Sequence, residues 1–453
     1  VKGAKRLYFA GYAAAGLLAV GGELIWTVDP IRIGAYFWID LIERLVWLFA
    51  IVPLLWLAGA LMGLRSVHRT STSLNLRLWK GAIAALNAVS AAVIIWPARS
   101  YIWAGSLFII CLLLTLIDMA VMERRIQRAW LRTTLIRAFV LAALAAALVW
   151  PTSYEVTTPG FTLNMNRYAG VEGGTAKGFI EGVLVIDRPA FPADWLYASL
   201  FHHIHMKKRD TSQSIGQQLT VAHTQRAGAN EIGSAVAFQK LGLGKGIVVD
   251  GVYVVHVALG SPSEGVLEAG DLIRQVAGKD VASSAELAAV MSQVKPGDTV
   301  PVAVTRNGRS VQVSIKAKAS EKDPDRAVFG ILIEDKVHAD LPRMVDFRSY
   351  LVYQGGPSHG AMLALTILDQ LTPGGVTYGN RVAGTGTISP TGEVGAIGGI
   401  EQKAYAVARA GADVFFVPVG QEEAAREGSA TLNIVPVKTL DDILQWLKQH
   451  PRV

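Results

Sequence analysis

The chain changes character once, near residue 150. Before that point apolar residues run in long, nearly uncharged stretches; after it they come in short runs broken by Gly, Pro and Asp. Five stretches stand out: Leu7–Trp26, Leu45–Leu64, Gly81–Trp96, Ile102–Met122 and Ala129–Trp150. Their length and low charge predict helices that cross a bilayer. Arg132 and Arg137 lie in the first half of the fifth, where snorkelling to the interface would accommodate them. Trp26, Trp38, Trp96, Trp103 and Trp150 sit near predicted ends, as an aromatic belt does. The first stretch lacks a small-residue cleavage site, so it reads as an anchor and not as a signal peptide.

The connections alternate in charge. Lys2, Lys5 and Arg6 precede the first stretch. Arg65, Arg69, Arg77 and Lys80 lie between the second and third, and Arg124, Arg125, Arg128, Arg132 and Arg137 between the fourth and the apolar part of the fifth, Ala138–Trp150. The other two connections are poor in net positive charge. Cytoplasmic loops carry the Lys/Arg excess, so the expectation is a multi-pass protein of the cell membrane, in contact with lipid. Its N-terminus is expected in the cytoplasm and everything after Trp150 outside it. Losing one span would invert that side. Glu23 and Asp118 fall inside apolar stretches with no obvious cation partner, which gives little support to a transport function.

From Ser153 the alternation predicts strands at Tyr154–Thr157, Phe161–Met165 and Gly178–Asp187, then a helix over 210–240 stopped by Gly242 and Gly244. A compact module follows over 241–320. It has a strand at Gly251–Val257, a turn at Gly260-Ser261-Pro262 and a strand after Gly270-Asp271. A helix at Ala285–Gln293 is capped by Ser283-Ser284, and two further strands are joined at Asn307-Gly308, a two-residue hairpin signal.

Composition adjusts this picture in a few places. The formal charge is +7, but its arginines flank apolar stretches and no basic stripe is interleaved with aromatics, so no nucleic-acid partner is expected. The single Cys111 excludes an intramolecular disulfide. His202, His203 and His205 crowd together, yet neighbouring strand residues face opposite ways and no partnering Cys or carboxylate pair is evident; no metal is expected. No Gly-x-x-x-x-Gly-Lys-Ser/Thr sequence occurs, so no nucleotide or other cofactor is expected, and the chain should not hydrolyse ATP.

The candidate chemistry lies in Gly355-Gly356-Pro357-Ser358-His359-Gly360, followed by a run with helical periodicity to Leu371. Glycines and proline force a tight turn, and a serine at a helix start sits beside free N–H groups. Such a serine can attack a carbonyl while those amides, from Ser358, His359 and Gly360 with Gly356 nearby, hold the oxyanion. Downstream, Lys403 opens a second helix after Gly398-Gly399. A lysine can act as a base near neutral pH only if burial makes it easier to deprotonate. Glu401, two positions earlier, diverges from it on a helix. Thr385 is the hydroxyl that can orient the amine. Taken alone, Ser358 could merely cap the helix and Lys403 could be a surface charge.

The joint set carries a resemblance. Gly356-Pro357-Ser358-x-Gly360, Thr385-Gly386, Ile397-Gly398-Gly399-Ile400-x-x-Lys403, Ala408–Ala412 and Val414–Pro418 resemble the proteolytic domain of Lon-type peptidases, in particular the membrane-anchored, PDZ-bearing branch (the YlbL/SepM type). The resemblance implies a serine–lysine dyad of Ser358 and Lys403 with Thr385 beside it, and ring-like homo-oligomers. His359 departs from it, standing where the family usually has alanine. The module at 241–320 resembles a PDZ domain, with Gly251, Val252 and Tyr253 as the peptide-receiving edge and the helix from Ala285 as the other wall. Too few residues lie between that module and Ser358 for a Lon-type fold, so the strands at 154–187 are expected to belong to the catalytic fold, with the PDZ domain inserted in it.

The sequence therefore predicts an α-helical multi-span membrane domain (1–152), followed by an α+β Lon-type proteolytic domain with an inserted PDZ domain. Residues 153–240 form its β-rich first part, 241–320 the PDZ domain and 321–453 the proteolytic domain. The expected function is an ATP-independent serine endopeptidase that processes envelope or secreted peptides and proteins, the PDZ domain assisting recognition. The alternative is a catalytically inactive PDZ scaffold at the membrane.

Overall fold

A computed structural model describes residues 2–70, 73–96, 101–124, 129–209, 215–320, 323–350, 353 and 355–452. The turn expected at 97–100, Arg125 and Arg128, and the start of the helix expected from 210 lie outside the described residues. The chain divides into two compact units: 1–31, 38–156 and 188–202 in one, 32–37, 157–187 and 203–453 in the other.

The first unit is helical: α1 (Lys2–Glu23), α2 (Ile51–Thr70), α3 (Leu74–Ile95), α4 (Tyr101–Arg124) and α5 (Trp130–Val149). Among the described residues four helical stretches are long and apolar enough to cross a membrane: Trp38–His68, Leu74–Ile95, Trp103–Arg124 and Trp130–Val149. The helix α1 falls outside that set, because Lys5, Arg6 and Glu23 bracket an uncharged stretch shorter than a full span. It is nonetheless packed against α2. Ala4 and Tyr8 are buried, and Gly11 lies so near Trp56 that a Cβ there would fall 2.3 Å from the indole nitrogen.

Two expectations about charges in this unit are corrected. Asp118 has a cation partner: Lys80 Nζ lies 2.5 Å from its Oδ2, and both side chains are fully buried. Tyr8 OH and Trp79 Nε1 donate to the same carboxylate at 2.7 and 3.0 Å. An ionised group in apolar surroundings is tolerated when it is paired and its remaining lone pairs are filled. Glu23 has a cation partner too, in Arg188, and Arg137 donates to both Glu123 oxygens at 2.7 and 2.8 Å.

Among the described residues the second unit is built around two six-stranded sheets, with four two-stranded ones beside them. Its principal strands are β1 (Tyr154–Asn164), β2 (Phe179–Pro189), β3 (His205–Lys208), β4 (Gly246–Val257), β5 (Leu272–Val276), β6 (Thr299–Arg306), β7 (Arg309–Lys316), β8 (Ile331–Asp340), β9 (Arg381–Gly384), β10 (Val414–Pro418) and β11 (Ile434–Val437). Its principal helices are α6 (Ile215–Lys240), α7 (Ser284–Met291), α8 (Gly360–Leu371), α9 (Ile400–Ala410) and α10 (Leu440–Gln449). One sheet runs β11-β10-β9-β2-β1-β3, so strands from before and after residue 340 share it. The pairs β2–β9, β9–β10 and β10–β11 are parallel. Parallel strands need long crossovers and cover on both faces, and β10 is buried along its whole length. The other sheet runs β7-β6-β5-β4-β8 around Val252, Val254, Ile273, Val276, Val302 and Ile315. It extends to Asp340, beyond the boundary expected at 320, because β8 pairs with β4 along nearly its full length.

Candidate active site

The helix α8 sets the geometry of the site. Every residue from Gly360 to Gln370 is buried, and the polar ones among them, Thr366, Asp369 and Gln370, are hydrogen-bonded there. Its start is fixed by close packing: a Cβ on Gly360 would fall 2.8 Å from Ile388 Cγ2. In the turn before it, Ser358 is half-buried. The Ser358 carbonyl accepts from Gly386 N at 2.8 Å and from Thr385 Oγ1 at 3.1 Å, which pins the backbone of the serine to the segment leaving β9.

Lys403 reaches the same threonine from α9. That helix starts at Gly399, whose φ of 65° is left-handed and where a Cβ would strike Val185 at 2.8 Å; glycine is needed there twice over. Lys403 is 2% exposed, and its Nζ donates to Thr385 Oγ1 at 3.2 Å. Burial pulls the ammonium down from 10.5 to about 7, with Asp187 pulling the other way. Desolvation wins because Asp187 is itself exposed and is engaged by the Thr157 hydroxyl. Asp187 is the charged neighbour that sequence reasoning missed. It arrives on β2, far away in the chain, and no local motif marks it. Glu401 does diverge from Lys403; it pairs with His203 Nδ1 at 2.9 Å and His205 Nε2 at 3.3 Å. Among the described residues no group of His, Cys, Asp or Glu is arranged to hold a metal ion.

Two expected site residues, His359 and Gly360, are otherwise engaged. His359 is 4% exposed, with its Nε2 2.7 Å from Asn230 Oδ1 of α6. Its ring meets Tyr168 and Tyr353 edge-on, with centroids 5.3 and 5.9 Å apart. Burial, with Arg226 and Lys403 nearby, holds the imidazole down to about 4, against a weaker pull upward from the Gly356 carbonyl. A neutral ring enclosed in this way does not reach substrate, and only the His359 amide remains as a donor. The Gly360 amide is spent on Pro357 O at 3.1 Å. Among the described residues no hydrogen bond occupies the amides of Gly356, Ser358 and His359.

Val252 and Tyr253 do not form a free edge. They pair with Asp335 and Glu334 on one side and with Ile273 and Leu272 on the other, and Gly251 sits in an irregularity of the β4–β8 ladder. The terminal strand on that side is β8. It enters through Gly330, whose φ is 72°, and α7 meets it where Ser284 N and Oγ donate to Asp335 at 2.6 and 3.1 Å.

A half-buried serine at a helix start, its carbonyl joined through the Thr385 hydroxyl to a buried lysine of lowered pKa, is the arrangement of a candidate serine hydrolase site. Comparison with known proteins narrows the class. Residues 309–449 match the Lon protease (S16) C-terminal proteolytic domain, and residues 214–317 match a PDZ domain. The chain thus carries a Lon-type proteolytic domain together with a PDZ domain. It is 30% identical over 133 residues to a Lon protease of Aster yellows witches'-broom phytoplasma, a match covering 28% of this chain and 15% of that protein. It is 23% identical over 268 residues to a Lon protease of Wolbachia pipientis, covering 55% of this chain and 32% of that one. Over 72 residues it is 36% identical to the serine protease Do-like HtrA of Lactobacillus helveticus, covering 16% and 17%. The chain therefore spans less than a third of the length of each of these relatives.

Proposed function

We propose that the protein is a membrane-bound serine endopeptidase of the PDZ-bearing, membrane-anchored Lon-like kind, in which Ser358 is the nucleophile and Lys403 its base. The observation that carries this reading is the buried amine with a pKa near 7, 3.2 Å from Thr385 Oγ1, whose hydroxyl in turn donates to the Ser358 carbonyl. At neutral pH a large share of such an amine is unprotonated. Donating one N–H to Thr385 orients its lone pair. Lys403 takes the Ser358 proton as Oγ adds to the peptide carbonyl, and the oxyanion falls to the amides of Ser358 and His359, with Gly356 nearby. Lys403 then returns the proton to the leaving amine, and water, activated by the same lysine, clears the acyl ester.

The substrates in this reading are flexible peptide segments, which reach the site without ATP-driven unfolding. The PDZ domain receives an extended peptide on the edge of β8, with α7 as the opposite wall. The apolar helices anchor the chain, and the alternation of basic connections supports a cytoplasmic N-terminus. The packing of α1 against α2 supports a fifth pass and an extracytoplasmic protease acting on envelope or secreted proteins. Homo-oligomers belong to the same proposal.

The test is cleavage of a mixed peptide library by the full chain in detergent micelles, with and without ATP, beside Ser358→Ala and Lys403→Ala. Cleavage by the wild type alone, indifferent to ATP, supports the reading. Undiminished cleavage by either variant refutes it. A protein that binds peptides without cutting them, while Ser358→Ala keeps full cellular function, would instead be a scaffold.

A further inference from the structure

One buried titratable side chain next to the nucleophile is unused by this chemistry: His359. Its surroundings fix how it is held. Asn230 Oδ1 accepts from Tyr168 OH at 3.0 Å and lies 2.7 Å from His359 Nε2. An amide oxygen has two lone pairs and gives no proton, so in the neutral ring Nε2 carries the hydrogen. Nδ1 is then bare and has nothing to donate to the Gly356 carbonyl 3.3 Å away. The ring is therefore anchored by α6 and not by its own turn. The same helix lies directly against the start of α8, since a Cβ on Gly233 would fall 3.1 Å from Gly360 O. Arg226, also on α6, donates to the Tyr353 carbonyl beside the ring.

We propose that Asn230 is a positioning residue of the catalytic centre: by holding the His359 ring, it sets the backbone of the adjoining Ser358 relative to Thr385 and Lys403. This rests on Ser358 being the nucleophile. Displacing a reacting group by about 1 Å can lower turnover by about 100-fold, whereas a contact remote from the substrate leaves its binding unchanged. Asn230 would act on Ser358 through His359, so for turnover the two residues form one unit, whereas the bond it accepts from Tyr168 OH bears on stability.

The experiment uses the full chain in detergent micelles with fluorescein-labelled casein as substrate. Asn230→Leu, which keeps size but removes the acceptor, is expected to lower kcat by about 10- to 100-fold while KM stays within about twofold. Asn230→Asp, which keeps an acceptor oxygen in place, is expected to stay within about threefold of wild type. In a His359→Ala background, Asn230→Leu should cost nothing further. Equal losses in the Leu and Asp variants, a change in KM alone, or losses that multiply in the double variant would each overturn the proposal. If Asn230→Leu does not fold, Asn230→Ala takes its place in the same comparisons.

A second readout does not depend on turnover. In Ser358→Ala protein, Asn230→Leu should speed hydrogen exchange of the amides at 358–363, and unchanged exchange refutes the contact. Activity that survives Ser358→Ala would instead sink the catalytic reading, and with it the positioning role, while the exchange result still decides whether Asn230 holds the turn.

Discussion

Replacing Lys403 with methionine should abolish peptidase activity and make the proteolytic domain more stable, by an amount that depends on pH. Burial moves the amine from 10.5 to about 7. At about 1.4 kcal/mol per pH unit, this corresponds to a penalty of about 5 kcal/mol while the lysine is protonated in both states. The folded value lies below the unfolded one, so between pH 7 and 10.5 the unfolded chain binds more protons and stability rises with pH. Below that window the penalty is complete; above it the penalty has gone. Methionine has similar length and removes the charge, but forfeits the 3.2 Å bond to Thr385, a loss of about 1 kcal/mol. The net gain is then about 4 kcal/mol near pH 6, falling to about 1 kcal/mol near pH 9. Hydrogen exchange of the buried α9 amides at 404–407 in the full chain, variant against wild type at each pH, measures it as an opening free energy. A gain that does not shrink between the two pH values, or no gain at all, would mean that the amine is not held at a lowered pKa, and the base assignment would lose its physical ground.

Other outcomes follow from the same geometry. The wild-type kcat/KM for casein should rise with pH to a plateau with its midpoint near 7; Asp187→Asn, which removes an upward pull on Lys403, should move that midpoint to lower pH. Thr385→Val keeps the shape but loses the hydroxyl that joins Lys403 to the Ser358 backbone, and should lower kcat by about 10- to 100-fold with little change in KM. In the membrane domain, Asp118→Leu alone strands the buried Lys80 and should destabilise by about 3–5 kcal/mol, whereas adding Lys80→Met should recover most of that loss, read as the thermal midpoint of the detergent-solubilised chain.

What the sequence revealed and what it hid divides along the range of the interactions. The turn at 355–360, the glycine pair before Lys403 and the Asn307-Gly308 hairpin are local, so their residues show in the sequence. Contacts between distant segments do not. Asp187 beside Lys403, Asn230 on His359 and Lys80 on Asp118 each join elements remote in sequence, and each changes an electrostatic conclusion. Val252 and Tyr253 read as an exposed edge because nothing in the run after Phe329 announces that it will return as β8 and cover them. The charges at the start of α1 were legible, yet the packing of Tyr8 and Gly11 against α2 is a contact that periodicity does not report.

The central claim is covalent: peptide is transferred to Ser358 with Lys403 as the base. The most direct measurement is mass spectrometry of the full chain, acid-quenched during turnover of casein at pH 8. An acyl ester on Ser358 is expected in the wild type and none in Lys403→Ala. An acyl group on any other residue, or casein cleavage undiminished in Ser358→Ala, would contradict it.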